Sequence, residues 1–228
     1  MTLSTKEYAM TNQEIAVGII DAQRGFMPAE EGLRLNAKGF GELPVAEGAE
    51  IVPFANTLLG RAALLDAFRF TTQDWHPAET AHFAAEPNYN TTWPVHCVEL
   101  TAGAELHPEL IVVEGLVQYR KGNEKLLDGA NDTSYTGFNG LDENGQTLGE
   151  RLVENGTTVV VLGGLATDYC VKASAIDFAN KLGLEVIVAS DAIRGVMPET
   201  TLAAIDEMKT YGVKFQTTEE ILAGVLAA

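Results

Sequence analysis

Hydrophobic and polar positions along the chain follow two periods. Short β-branched apolar runs recur, each stopped by a polar or charged residue. Between them lie longer stretches with apolar residues three and four apart. The first run, EIAVGIID at 14–21, predicts a buried strand with Asp21 just beyond it. Apolar positions at Ile51, Ala55, Leu58, Leu59, Ala62 and Leu65 then share one face of a helix predicted over 51–68. Further strands are predicted at 68–72, 116–119, 159–162, 185–189 and 213–216. Further helices are predicted at 146–155, 169–182, 199–211 and from Thr217 or Thr218 to 226. Ser190 and Asp191 are read as the end of the fifth strand. Residues 22–46, 74–97 and 123–144 lack either period and read as loops. A loop this long in a compact domain is usually a lid or a binding loop. Strand alternating with helix implies right-handed parallel βαβ units. The expected fold class is therefore α/β, a three-layer α/β/α sandwich with a mainly parallel central sheet. Residues 1–228 are read as one domain with a loosely ordered lead-in over 1–13, in which Met10 is an alternative start.

The stretch VVVLGGLATDYC at 159–170 is the one around which the rest is organised. A buried strand runs into two glycines, then into Thr167 and Asp168, either of which suits a helix cap. Cys170 falls in the first helical turn, where partial positive charge and free N–H groups favour a thiolate and can bind an oxyanion. A buried, inert cysteine fits the same stretch equally well. Three of the four histidines, His76, His82 and His96, crowd into the loop after the second strand, together with Asp74. A carboxylate among imidazoles suits a borderline divalent ion such as Zn, Fe or Mn. A histidine taken singly is more often a hydrogen-bonded structural residue, and His107, which stands apart, is read that way. Lys121 follows the third strand, and alone it reads as a solvated loop residue. Tyr135 and Phe138 are candidate pocket aromatics.

Composition narrows the partners. The 228 residues carry a net charge of −17, with 15 basic and 32 acidic side chains, which disfavours nucleic acid and anionic membranes. No apolar run approaches membrane-spanning length, and the first residues do not read as a signal peptide. Two cysteines make no disulfide framework, so a reduced cytoplasmic setting is expected. No Gly-rich nucleotide loop is present. A small-molecule substrate is expected, with self-association left open.

Asp21, Asp74, Lys121 and Cys170 each follow a predicted strand, and in a parallel sheet those ends share one edge. With them stand Gln23 and Phe26, the run DWH at 74–76, His82-Phe83, Trp93-Pro94, His96-Cys97, Lys121-Gly122, Tyr135, Phe138 and ATDYCV at 166–171. In this set the chain resembles the nicotinamidase/pyrazinamidase branch of the isochorismatase-like cysteine hydrolases, from about residue 15 to 211. The resemblance implies Cys170 as nucleophile, Asp21 as general base and acid, and Lys121 as third member of the triad. It implies the backbone N–H groups of Ala166 and Cys170 as oxyanion hole, with a cis peptide at Leu165–Ala166. Asp74, His76 and His96 match the ligands of one divalent metal ion, and His82 matches a fourth ligand found in some members. Phe26, Trp93 and Tyr135 match substrate-binding aromatics. The implied activity is hydrolysis of nicotinamide, and of pyrazinamide, through a Cys thioester in NAD salvage. The alternatives are an amidase of the same superfamily acting on a ureido or carbamoyl group, and a non-catalytic metal- or partner-binding member. Two departures stand out. Gly25 lies where many relatives carry Asp, and the loop at 123–133 is longer than in compact members.

Overall fold

The structure, a computed structural model, describes residues 14–89, 91–123 and 135–227. Six strands, β1 (Ile15–Ile20), β2 (Phe68–Asp74), β3 (Leu116–Lys121), β4 (Val159–Leu165), β5 (Glu185–Arg194) and β6 (Lys214–Gln216), form one sheet in the order β3-β2-β1-β4-β5-β6. Every pairing between them is parallel. The helices are α1 (Ala29–Leu35), α2 (Val52–Leu64), α3 (Leu148–Glu154), α4 (Lys172–Leu182), α5 (Pro198–Thr210) and α6 (Thr218–Ala223).

Strand side chains alternate between the two faces, and this period builds both cores. Ile15, Val17, Ile19, Val159, Val161, Ile187 and Ala189 pack with α2 and α6 on one face. Ala16, Ile20, Val160, Leu162, Val186 and Val188 pack with α3, α4 and α5 on the other. Both faces of the sheet are thus covered by helices, which is why the central strands are apolar throughout. Gly18 leaves a gap in β1 that the Phe70 ring fills; a Cβ there would come within 2.1 Å of it. Phe70 in turn meets Tyr119 and Phe178 edge-on.

The chain winds outward from β1 through β2 to β3, returns to β4 beside β1, and winds outward again to β6. The direction of winding reverses between β1 and β4. In such sheets the crevice at the carboxyl ends of that pair is where ligands bind. Asp21 follows β1 and Cys170 follows β4, so both stand at the reversal.

Several elements differ from their sequence-based expectation. The segment 22–46 contains a 3-10 turn at Arg24–Phe26 and the helix α1. With seven residues, α1 is too short to show a period. Its Arg34 pairs with Glu31 one turn earlier and with Glu109 outside the helix. Strand β5 does not stop at Asp191 but runs on to Arg194, with an irregular pairing to β4 between Leu162 and Gly164. Asp191 turns its carboxylate to the N–H of Thr218 at the start of α6. Neither Thr167 nor Asp168 caps the helix after β4. Residues Thr167–Val171 form a π-helical turn leading into α4. Asp168 instead accepts from the N–H groups of Val196 and Met197 and from Thr200 at the head of α5. The lead-in over 1–13 and nearly all of the long loop at 123–133 lie outside the described residues.

Candidate active site

The pairing register of the sheet assembles the first group. Asp74 and Lys121 are direct partners at the ends of β2 and β3, and their side chains form a hydrogen-bonded ion pair. The Lys121 ammonium, fully buried, also lies 2.9 Å from the Asp21 carboxylate and 3.4 Å from Cys170 Sγ. The ammonium thus faces Asp74, Asp21 and Cys170 at once. Asp21 sits just past β1 at a φ of 45°. Thr72 donates its hydroxyl to the Asp21 carboxylate at 2.6 Å.

Burial sets the charges in this group. It raises the Asp21 carboxyl above its ordinary value, with Lys121 opposing. It pushes the Cys170 thiol up as well; Lys121 pulls the other way, and Asp21 adds to the rise. The expectation of a lowered thiol pKa is therefore corrected. Desolvation, with Asp21 and Asp74 adding to it, outweighs the Lys121 ammonium. Lys121 thus stands between the Asp21 carboxyl and the Cys170 sulfur. Burial works against the charge on Lys121 too, but Asp21, Asp74 and Cys170 hold it protonated.

The second group is a cluster of three buried imidazoles. The ligand atoms of His76, His82 and His96 lie within 4.8 Å of one another. His76 Nδ1 contacts the Gly122 carbonyl at 3.0 Å, and His96 Nδ1 contacts the Pro94 carbonyl at 2.7 Å. A carbonyl only accepts, so each Nδ1 carries the proton and each Nε2 presents a lone pair. Among the described residues, His76 Nε2 and His82 Nδ1 are buried without a hydrogen-bond partner. Asp74 Oδ2 lies 3.5 Å from His76 Nε2 and 4.0 Å from His96 Nε2. Two ligands of one tetrahedral ion stand roughly 3.3 Å apart, given bonds of about 2.0–2.1 Å. Orphaned nitrogens converging beside a carboxylate therefore fit a divalent metal. Burial lowers His82 and His96 to about 4, so both rings are neutral at pH 7, as ligation requires. His82 stands with the other two rings, its ring centre 4.8 Å from that of His76.

The two groups are not separate. Asp74 gives Oδ1 to Lys121 and turns Oδ2 to His76 and His96. Its carboxyl is held well below the ordinary range, because Lys121 and the imidazoles outweigh its burial. Gln23 clamps the Asp74 backbone from both sides, accepting its N–H at 2.8 Å and donating to its carbonyl at 2.7 Å.

A narrow cavity of about 50 Å³ opens onto both groups. Phe26, Trp93 and Tyr135 line it, as do Ala166 and Cys170. Trp93 Nε1 donates to the Tyr135 hydroxyl at 3.1 Å. The peptide between Leu165 and Ala166 is cis. Phe138 does not reach the cavity; it packs against Gly149 and under the Lys181 ammonium. Two further wall components carry no mark in the sequence, the run Leu43 to Val45 and Val196, and Tyr169 of the run at 166–171 joins them. Tyr169, edge-on to Trp93, could have been inferred from its place beside Cys170 in the first turn. Leu43 and Val196 are ordinary apolar residues brought in from distant loops. A wider concavity of about 500 Å³ lies beyond the edge strand β3, among Arg120, Asp142 and Arg151, and holds no cysteine or histidine. His107 lies apart from both groups: its ring contacts Glu31 at 3.1 Å and accepts the Glu109 N–H at 3.1 Å.

Gly122 serves the second group directly. Its φ of +76° favours glycine, and a Cβ there would meet the His76 ring at 2.6 Å. Gly122→Ala is expected to displace His76 and to weaken metal retention by about tenfold or more. Zinc content after dialysis against a graded chelator reads this out; retention equal to the parent protein would refute it.

Residues 16–220 match the isochorismatase domain family. The nicotinamidase/pyrazinamidase of Mycobacterium tuberculosis is 36% identical over 199 residues, covering 87% of this chain and 96% of that protein. The crystal structure of the pyrazinamidase of Pyrococcus horikoshii in complex with zinc superposes with a TM-score of 0.73 at 35% identity, covering 90% of this chain and 99% of that one. PnC1 from L. infantum in complex with nicotinate gives a TM-score of 0.71 at 27% identity, over 91% and 94% of the two chains. With family, relatives and folds in agreement over nearly its whole length, the chain belongs to the isochorismatase family.

Proposed function

We propose that the protein is a nicotinamidase, hydrolysing nicotinamide, and pyrazinamide, to the corresponding acid and ammonia. The observation that carries this reading is the contact of Cys170, Lys121 and Asp21 beside three imidazoles, all facing one aromatic-walled cavity. The Mycobacterium tuberculosis relative carries both activities in its name, and the Pyrococcus horikoshii structure is named a pyrazinamidase. The whole chain is read as one catalytic domain serving NAD salvage in the cytosol.

In the proposed reaction Asp21 takes the Cys170 proton as sulfur attacks the amide carbon. Lys121 holds its charge between the two and stabilises the sulfur anion as it forms. The N–H groups of Ala166 and Cys170 receive the developing oxyanion. Asp21 returns the proton to the departing nitrogen, ammonia leaves, and a thioester remains on Cys170. Asp21 then deprotonates a water that attacks the thioester, which releases nicotinate and restores the thiol. Asp74, His76, His96 and His82 would hold a divalent metal, which supplies a Lewis-acidic anchor for the ring nitrogen of the substrate. Phe26, Trp93 and Tyr135 would enclose the ring.

Ammonia release tests the reading. Nicotinamide and pyrazinamide should turn over, and N-carbamoyl amines should not. Removal of the metal should cost nicotinamide far more than benzamide, which lacks the ring nitrogen. Preferential hydrolysis of an N-carbamoyl amine would favour the ureido alternative. Equal losses for the two aromatic amides would sink the anchoring role.

A further inference from the structure

Glu42 has no part in the groups described so far, yet its contacts converge on them. Its Oε2 accepts the backbone N–H of Cys97 at 2.8 Å. Cys97 follows His96 and has a φ of 44°, a left-handed conformation uncommon for cysteine. The Cys97 carbonyl accepts the N–H of His76 at 3.1 Å, and the Glu99 N–H returns to the His76 carbonyl at 2.8 Å. One residue's backbone therefore ties the His76 segment to the His96 segment, and Glu42 holds that residue in its strained conformation. The space around the Glu42 carboxylate is fitted to it. A Cβ on Gly103 would fall 2.0 Å from Oε2. A Cβ on Gly25 would fall 2.9 Å from Oε2 and 2.8 Å from Cys97 Sγ. The Leu43 N–H bonds the Gly25 carbonyl at 2.9 Å, so the two segments are also tied through their main chains.

We propose that Glu42 is a positioning residue for the metal site: its carboxylate locks the Cys97 backbone and so sets the spacing of His76 and His96. It reaches this place from a different loop, and it fills the space that a side chain at position 25 would need. Glycine at 25 and glutamate at 42 are thus a matched pair. The inference rests on Asp74, His76 and His96 being the metal ligands. Partners that orient ligands in this way are typically worth about 10–100-fold in metal affinity.

The test uses the full-length protein, freed of metal and titrated with zinc ion against a chromophoric chelator, with folding followed by circular dichroism. Glu42→Ala is expected to bind zinc at least tenfold more weakly. Glu42→Gln, whose amide oxygen can accept the same N–H, should recover most of that loss. Gly25→Asp alone should also weaken binding, because its carboxylate collides with Glu42. The double variant Gly25→Asp/Glu42→Ala should bind at least tenfold more tightly than Glu42→Ala, since Asp brings an acceptor into the vacated space. A parent protein that binds no zinc would overturn the ligand assignment itself. A parent that binds zinc with a folded Glu42→Ala of equal affinity would overturn only the role of Glu42. If Glu42→Ala does not fold, the double variant decides: folding and zinc binding support the matched pair, and failure of both overturns it.

Discussion

Cys170→Ala should reduce nicotinamide hydrolysis to the background of the assay, a loss of at least about 10⁴-fold in kcat, while nicotinamide still binds. Removing a nucleophile from a group that acts as a unit costs nearly all of the catalysis it provides. Binding should survive because the cavity wall and imidazole cluster do not depend on the sulfur. Lys121 keeps Asp21 at 2.9 Å and Asp74 as partners when Cys170 is gone. No buried charge is orphaned, so the variant should stay folded. Calorimetric titration with nicotinamide alongside the ammonia assay makes the comparison. Cys97→Ser is the control. Cys97 is buried, with Sγ 3.6 Å from the Gly103 carbonyl, and burial raises its thiol well above the ordinary value. It should keep its rate within a few-fold. A substantial rate in Cys170→Ala, or an equally inactive Cys97→Ser, would reverse the assignment.

Asp21→Asn should lower kcat by roughly 10²–10⁴-fold, the range expected for loss of a positioned proton carrier, with little change in KM. Asn keeps the size and can still accept the Thr72 hydroxyl, now 2.6 Å from the carboxylate. The pH profile of the parent protein provides a second readout. Asp21 works as a base only when ionised, so kcat/KM should fall as pH drops through its pKa, which burial raises and Lys121 holds back. Lys121→Met removes that opposing charge, and the acid limb should move to higher pH. Breaking a buried ion pair costs about 3–5 kcal/mol, so the profile must be taken on protein shown to be folded. A limb that stays in place would mean that Asp21 is not the titrating base. A kcat for Asp21→Asn close to the parent value would remove it from the reaction.

Much of this site was legible before the fold was known, and the reason is geometric. In a parallel sheet every strand points the same way, so residues that follow apolar runs arrive at one edge. Asp21, Asp74, Lys121 and Cys170 could therefore be grouped from linear order alone. Likewise, three imidazoles and a carboxylate crowded into one loop suggested a common ligand, and His76, His82 and His96 do meet. Strands and helices with several turns were legible because burial imposes a period on them. The short helix α1 was not, since its seven residues are too few to show a period.

What only the tertiary structure decided are quantities that depend on distance and desolvation. The family resemblance placed Asp74 with the metal ligands and Lys121 with the nucleophile. The register of β2 against β3 makes them neighbours, so one carboxylate serves both groups. A place in the first helical turn suggested a thiolate at Cys170. The depth of burial and the approach of Asp21 reverse that sign. Gly25 read as a missing carboxylate. In the folded chain its space is already taken by Glu42, from a loop seventeen positions further on. Periodicity records which face of an element is buried, whereas these three outcomes turn on a few ångströms between side chains that no local pattern encodes.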